Sequence, residues 1–456
     1  MLDNFYYFSN DRTCHIKTKI MSDNSQIFFN KKILIYGLGK SGLSSFNFLR
    51  NKNDVYLFDD NANLKINKSI KKKTLNLKKI LKTKFDLILL SPGIDIKKCK
   101  LKNLLKKKYK NIYTDLDVFY SFYKNVSLTI TGTNGKSTTC KLLYDILKDQ
   151  KKDVRLAGNI GTPILSINKI SKKTIFVIEA SSYQLEYSKI FSSKFAAILN
   201  IAPDHLERHG NLKNYIEAKF KIFNNRKRGA IGFVNKNDHL IQKRIKMIKP
   251  KLKLVNVDTK LNNLILKKIR NKYFLSKSNQ ANLSFVLEMI KKFNVKPNKL
   301  LESVNKFKGL NYRQKIIYNK NKLIIINDSK STSYSSSKEL LEMYKNIHWL
   351  IGGIPKKDDK ISLSKKYFKN IRIYVFGKNF KKFSKDLKKN AELKSFKNLN
   401  LAVSAIFKNI HKRKQSNNTI LFSPASASFD RFKNFEERGS YFNKLIKRYI
   451  NERKII

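Results

Sequence analysis

The residues best equipped for chemistry lie in one run, TITGTNGKSTTC, residues 129–140. Gly132 and Gly135 let the backbone turn tightly and aim successive N–H groups at one point. Lys136 adds a point charge, and Ser137 or Thr138 can offer a hydroxyl to Mg²⁺ at a helix N-terminus. An apolar run before the loop and a helix-length stretch after it supply the context such a motif requires. A full-length phosphate loop would carry another glycine at Ile130, so this is a shortened variant. Gly132, Thr133, Asn134, Gly135, Lys136, Ser137 and Thr138 are therefore expected to hold a nucleotide phosphate.

A second glycine loop precedes it. ILIYGLGKSGLSSFNFL carries Gly37, Gly39 and Gly42 between a strand and a helix, with Lys40 and Ser41 inside the turn. Asp59, followed by Asp60, closes the next strand at the distance of a ribose-binding acid. Taken alone this is a dinucleotide fold, and NAD or another diphosphate-bearing ligand fits the same backbone.

These loops need elements to hold them. Apolar runs ending in Gly, Asp, Asn or Ser recur along the chain: KKILIYGLG, DVYLFDD, FDLILLSPG, VSLTITGTNG, TIFVIEASS, FAAILNIAPDH, KLIIINDSK, HWLIGG, IRIYVFGKN and NTILFSPAS. Helix-length amphipathic stretches separate them. Strands without polar alternation, alternating with helices, imply an α/β chain of buried, mainly parallel sheets with flanking helices. Ligands of such sheets lie beyond the carboxyl ends of the strands, where nearly every polar motif here falls. Three blocks emerge, at 31–120, 121–309 and 310–456. Residues 1–30 have no apolar signal-peptide core and are expected to be a disordered extension, or to precede a start at Met21.

The bulk composition restricts function less than its extremity suggests. The 456 residues carry 97 basic and 33 acidic side chains, a formal net charge of +64. A nucleic-acid footprint should cluster, whereas lysines here occur in nearly every segment, mixed with Asn and Ile. Three cysteines (Cys14, Cys99, Cys140) form no CxxC pair, which points to a reducing compartment. No apolar run reaches membrane-spanning length, so a cytoplasmic protein is expected.

GTNGKST resembles the ATP loop of the Mur ligases and the folylpolyglutamate synthases. GNIGTP, EASSYQLE, NIAPDHLERHG, YIEAKFKIF, NYRQK, NDSKSTS and SPASASFDRFKNFEERG continue the resemblance in order, from about residue 31 to the end. It implies three domains: a Rossmann-like N-terminal one, a P-loop ATPase-like central one and a Rossmann-like C-terminal one. The implied chemistry is ATP-driven amide formation through an acyl phosphate. The motif series is most similar to the branch that joins D-glutamate to UDP-N-acetylmuramoyl-L-alanine, acting as a monomer.

On that resemblance Lys136, Asn159, Glu179, His205 and Lys219 form the catalytic set, with Ser137, Glu179, His205 and a carbamylated Lys219 around Mg²⁺. Carbamylation needs an unprotonated amine, so burial must depress the pKa of Lys219. The ligand at the first glycine loop becomes UDP, met by Gly37, Gly39, Lys40, Ser41, Gly42, Asp59, Asp60, Ser91 and Gly93, with Asn159 nearer the reacting end. Asn279, Asn282, Arg313, Asp328, Lys330 and Thr332 match further ATP contacts. Lys356, Ser428, Phe429 and Phe435 match the D-glutamate pocket. Departures are Ser278 for a usual histidine, Ala202 for threonine, Lys357 for glycine, and Ser331 and Ser333 for alanine and asparagine. None removes a charged group with an assigned role. A sister ligase using another amino acid, a basic nucleic-acid-binding ATPase and an NAD oxidoreductase are the rival readings.

Overall fold

The computed structural model describes residues 24–61, 63–64, 66–224, 229–248, 252–356, 359–387, 391–412 and 417–452. The expectations for residues 1–23, including a start at Met21, and for Cys14 and Lys357 lie outside the described residues. From Asn24 the chain is folded: Ser25–Phe28 is a 3-10 turn whose Phe28 is buried, its ring edge-on to Tyr113.

The first sheet contains β1 (Lys32–Tyr36), β2 (Asp54–Phe58), β3 (Leu87–Leu90) and β4 (Ile112–Tyr113), ordered β2-β1-β3-β4 and all parallel. Ile33, Leu34 and Ile35 in β1 are all buried, because side chains on both faces of a parallel sheet meet covering elements. The winding direction reverses between β1 and β3, and the first glycine loop leaves at that switch point.

The second sheet is β5 (Ser127–Thr131), β6 (Val154–Gly158), β7 (Ile175–Glu179), β8 (Phe195–Ile198), β9 (Ile231–Asn235) and β10 (Lys253–Val257). Its order is β10-β9-β8-β5-β7-β6, again all parallel. Because β5 lies between β7 and β8, the loops after these three strands leave side by side at one edge.

The third sheet contains β11 (Lys315–Lys320), β12 (Leu323–Asn327), β13 (Ile347–Ile351), β14 (Ile371–Phe376), β15 (Leu393–Phe396) and β16 (Asn418–Phe422). Its order is β11-β12-β16-β13-β14-β15, with only the β11–β12 pair antiparallel. Insertion of β16 between β12 and β13 gathers three strand-end loops.

All ten apolar runs are strands. Among the described residues six further strands occur, β4, β6, β9, β10, β11 and β15, and all but β9 are sheet edges. Edge strands such as KIIYNK and LKSF mix lysine with apolar residues, a pattern that protects an open edge and dilutes the sequence signal.

The chain divides into two compact units: one of residues to Asn262 with Ala281–Ser303, the other of Asn263–Gln280 with the residues from Val304 onward. Among the described residues no helix is long and apolar enough to cross a membrane.

Candidate active site

In the first unit, β5 runs into the phosphate loop. Gly135 caps the helix Lys136–Asp149 with φ +83°, a left-handed conformation that favours glycine. A Cβ there would lie 2.0 Å from Oδ1 of Asn282, so the space is also taken. Asn282, expected beside the nucleoside, thus rests its carboxamide on the phosphate loop. The loop is clasped from β8: Asn134 N donates to Asn200 Oδ1 at 2.8 Å, and Asn200 Nδ2 donates to Asn134 O at 3.1 Å. The Thr133 hydroxyl accepts from Ala202 N at 3.0 Å and lies 3.0 Å from the Tyr215 hydroxyl, so it braces two loops. Ser137 and Thr138 are buried in the first helical turn.

Glu179 ends β7 and is buried. Its Oε1 accepts from Asn159 Nδ2 at 2.9 Å, bringing together two residues that the sequence placed on one site. Its Oε2 is buried without a hydrogen-bond partner. A lone carboxylate oxygen in that state calls for a cation or donor from a ligand.

Lys219 lies on the helix Leu212–Phe220 and is 1% exposed. Its Nζ donates to Gly132 O at 2.8 Å and lies 4.5 Å from the Tyr215 ring centroid. Burial first, and the nearby Lys136 charge second, push the Lys219 ammonium well below the ordinary lysine range, against the opposing pull of Asp204 and Glu179. Lys136 Nζ itself donates to Gly132 O and Thr133 O, both at 2.8 Å.

His205 follows β8 in a left-handed conformation, φ +54°, as the cap of the one-turn helix Leu206–His209. Its ring is partly exposed, 5.0 Å from the Tyr183 ring centroid. The neighbouring His209 is buried, and burial lowers its pKa to about 4, so it is neutral at physiological pH.

At the first glycine loop, Gly37 has φ +96°, and its added Cβ would meet Ser91 Cβ at 2.7 Å. The Ser91 hydroxyl donates to Gly37 O at 2.7 Å, joining the loops after β1 and β3 across the switch point. Gly42 packs so closely that a Cβ would fall 1.9 Å from Gly37 O. Gly93, by contrast, has open space around it. The Asp59 carboxylate accepts from Leu38 N at 2.7 Å and Asn61 N at 2.9 Å, so it shapes the loop backbone. Asp60 accepts from the Tyr36 hydroxyl at 2.6 Å. Lys40 and Ser41 occupy the first turn of the helix Lys40–Leu49.

In the second unit, Lys330 Nζ lies 4.1 Å from the Phe435 ring centroid, and the Arg313 guanidinium 6.0 Å from it. Asp328 is buried behind them, accepting from Ser423 Oγ at 2.9 Å and Gln314 N at 3.1 Å. Burial raises its pKa to about 7. Asn279 turns its amide to Tyr273 O (2.9 Å) and Gln314 Oε1 (3.1 Å). Ile354 and Ala427 exchange backbone hydrogen bonds, so the loop carrying Lys356 lies beside the loop carrying Ser428. Ser428 is buried, whereas Phe429 is 71% exposed. Ser333 caps the helix Tyr334–Met343, accepting from Ser336 N, directly after Thr332.

Arg438 lies in the run FEERG, where its spacing gives it no role. It is fully buried, donating from Nε to Ser329 Oγ (3.1 Å) and from Nη2 to Ser329 O (2.7 Å) and Ser426 O (2.9 Å), with Nη1 3.4 Å from Gly352 O. One guanidinium thus ties the loops after β12, β13 and β16. For Asn200 and Tyr215 the only sequence signal is membership of the motifs NIAPDHLERHG and YIEAKFKIF, because Asn200 bonds the Asn134 backbone and Tyr215 meets the Thr133 hydroxyl from another loop, and residue spacing marks neither partner.

The Mur ligase middle domain matches residues 130–300, and the MurD-like N-terminal domain of Mur ligases matches residues 31–112. The UDP-N-acetylmuramoylalanine–D-glutamate ligases of Rickettsia felis and Buchnera aphidicola are each 34% identical, over 92% of this chain and 98% of their own. UDP-N-acetylmuramate-alanine ligase MurC from Thermotoga maritima shares the fold, with TM-score 0.55 at 16% identity over 93% of this chain and 100% of its own. MurF ligase from Thermotoga maritima, solved with ADP, gives 0.53 at 15% over 94% and 100%.

Proposed function

The chain belongs to the Mur ligase family, and on that footing we propose how its residues carry the reaction. It is an ATP-dependent ligase that joins D-glutamate to UDP-N-acetylmuramoyl-L-alanine in peptidoglycan precursor synthesis. The observation that carries the residue assignment is the convergence of Lys136, Lys219 and the Asn159–Glu179 pair around the phosphate loop.

In the proposed sequence, a carboxylate oxygen of the alanyl substrate attacks the γ-phosphorus of ATP and ADP leaves. The D-glutamate nitrogen then attacks the acyl carbon, its proton passes to solvent, and phosphate departs with the original carboxyl oxygen. Two anions must meet in the first step, so the protein's task is positioning and charge neutralisation. Lys136 and the N–H groups of residues 132–138 hold the phosphates. Asn159 orients the acyl carboxylate through its amide while its other contact fixes Glu179.

Mg²⁺ fits the residues present. Among the described residues no three His, Cys, Asp or Glu side chains converge on one point, so a ready-made cage is absent. Glu179 Oε2, the Ser137 hydroxyl and a carbamate on Lys219 would hold the ion together with phosphate oxygens, the oxygen donors Mg²⁺ favours, with His205 as a nitrogen contact beside them. It would supply neutralisation of the developing charge. The depressed pKa of Lys219 supports the carbamate, which forms only on a neutral amine.

The UDP diphosphate is assigned to the turn of Gly37, Gly39, Lys40, Ser41 and Gly42, with Asp59, Asp60, Ser91 and Gly93 toward the nucleoside. Asn279, Asn282, Arg313, Asp328, Lys330 and Thr332 complete the ATP set, and Lys356, Ser428, Phe429 and Phe435 take D-glutamate. Domain borders at 31–120, 121–309 and 310–456, a monomeric state and a cytoplasmic location belong to the same reading. ADP release measured with each substrate omitted tests it: release independent of D-glutamate overturns the ligase. Transfer of ¹⁸O from the alanyl carboxylate into inorganic phosphate tests the acyl phosphate, and its absence removes that intermediate.

A further inference from the structure

The segment after β7, which follows directly on Glu179, and the segment after β8, which carries His205, are joined by a largely buried cluster that the reaction above does not use. His205 has φ +54° and ψ +31°, a conformation disfavoured for any residue with a Cβ, so its surroundings must hold it. The one-turn helix it caps is gripped from the side. Arg208, 7% exposed, places its guanidinium 4.9 Å from the Tyr183 ring centroid and 5.7 Å from that of Tyr187. Its Nε lies 3.4 Å from Glu186 Oε2. His209 places Nε2 3.0 Å from the Ser182 hydroxyl and Nδ1 3.8 Å from Glu186 Oε1. Ser182, Tyr183, Glu186 and Tyr187 all belong to the helix Ser182–Tyr187, which begins three residues after Glu179.

The grip is incomplete. Glu186 Oε2, Arg208 Nε and His209 Nδ1 are buried, and none has a hydrogen-bond partner. Arg208 Nε is near enough to Glu186 but is misdirected, and His209 Nδ1 at 3.8 Å is too far for a hydrogen bond. Buried polar groups left so close to one another without hydrogen bonds are unfavourable.

We infer that Arg208 is a positioning residue, with Glu186 as its anchor. Drawing Arg208 and His209 onto Glu186 draws the Leu206–His209 turn with them and sets the His205 imidazole toward the phosphoryl-transfer site, so the Glu186 contacts are completed in the loaded enzyme. This rests on the assignment of His205 to the metal. Arginine suits the role because its planar fork can stack on two tyrosines and still pair with a carboxylate, which lysine cannot do.

The test uses the full chain with ADP present. Mn²⁺ binding is read from the free-ion electron paramagnetic resonance signal, alongside the Mg²⁺ dependence of turnover and the melting temperature. Groups that orient a metal ligand from behind are worth about 10- to 100-fold in metal affinity, so Arg208→Ala is expected to weaken Mn²⁺ by that order. Arg208→Lys and Glu186→Gln should lie between it and the parent, while KM for D-glutamate stays unchanged. Arg208→Ala combined with Glu186→Gln should be no worse than Arg208→Ala alone, because both act on one contact. Unchanged Mn²⁺ affinity in a folded Arg208→Ala protein, or losses that simply add, overturn the inference. If Arg208→Ala does not fold, Arg208→Lys and Glu186→Gln decide it by the same affinity. His205→Ala separates the two levels. A loss there with none at Arg208 rejects the positioning role alone, whereas no loss at His205 rejects the metal assignment and this inference with it.

Discussion

Lys219 and Lys136 both donate to the carbonyl oxygen of Gly132, each at 2.8 Å. Burial and the repulsion between two ammonium groups converging on one acceptor together depress the pKa of the one without solvent. Lys219 is that residue. Lys219→Ala is expected to lose most ligase activity, with partial recovery on adding small carboxylates that replace the carbamate. Full activity in the alanine variant contradicts the carbamate.

The same pair predicts a pH dependence of stability. The folded pKa of Lys219 lies below its ordinary value, so between the two the unfolded chain binds more protons and stability rises with pH. Lys219→Met lacks that dependence. Its urea-midpoint advantage over the parent should shrink from neutrality toward pH ~10, and a constant advantage across that range argues against a neutral buried amine.

Asp328 has the opposite sign. Its folded pKa is raised from 3.8 to about 7, so the native state binds the extra proton and stability falls as pH rises through that window. Asp328→Asn should flatten the decline, whose limiting slope is ~1.4 kcal/mol per pH unit. Identical pH profiles for parent and variant would reject a protonated Asp328.

Gly135→Ala introduces a Cβ at φ +83° facing Asn282 Oδ1. The left-handed backbone alone costs about 1–2 kcal/mol, and the contact adds to it. The variant should lose ATP turnover and melt lower. In an Asn282→Ala background the same substitution should lower the melting temperature less; equal losses in both backgrounds would mean that Asn282 does not press on the loop.

Arg438→Ala leaves the carbonyls of Ser329 and Ser426 without their guanidinium donor. With buried acceptors costing about 1–3 kcal/mol apiece, a loss of roughly 3 kcal/mol is expected in chemical denaturation. KM for D-glutamate should rise more than KM for ATP, since the tied loops include those of Lys356 and Ser428. Equal rises would place Arg438 in general stability only.

Most of the scaffold was legible because buried parallel strands have no solvent face, and runs such as ILIY, SLTIT and TILF therefore lack polar alternation. Edge strands such as KIIYNK escaped because one side is open to solvent and admits lysine and asparagine. Residues whose work lies in their own motif, such as Lys136 between Gly135 and Ser137, could be assigned from spacing. Asn200 and Arg438 could not, because their partners are mainly backbone groups of other loops, and any residue type supplies those.

Sequence by itself determined the α/β class, the two glycine loops and the motif series of the family, since glycine conformations, loop lysines and apolar runs are local properties. Only the tertiary structure decided that burial and a neighbouring charge depress the pKa of Lys219, that Asn282 rests on the phosphate loop and that Arg438 ties three loops together. Proton affinity and hydrogen-bond satisfaction depend on burial and neighbouring charge, and both are set by residues far apart in the chain, as Ser329 and Arg438 are at 109 positions.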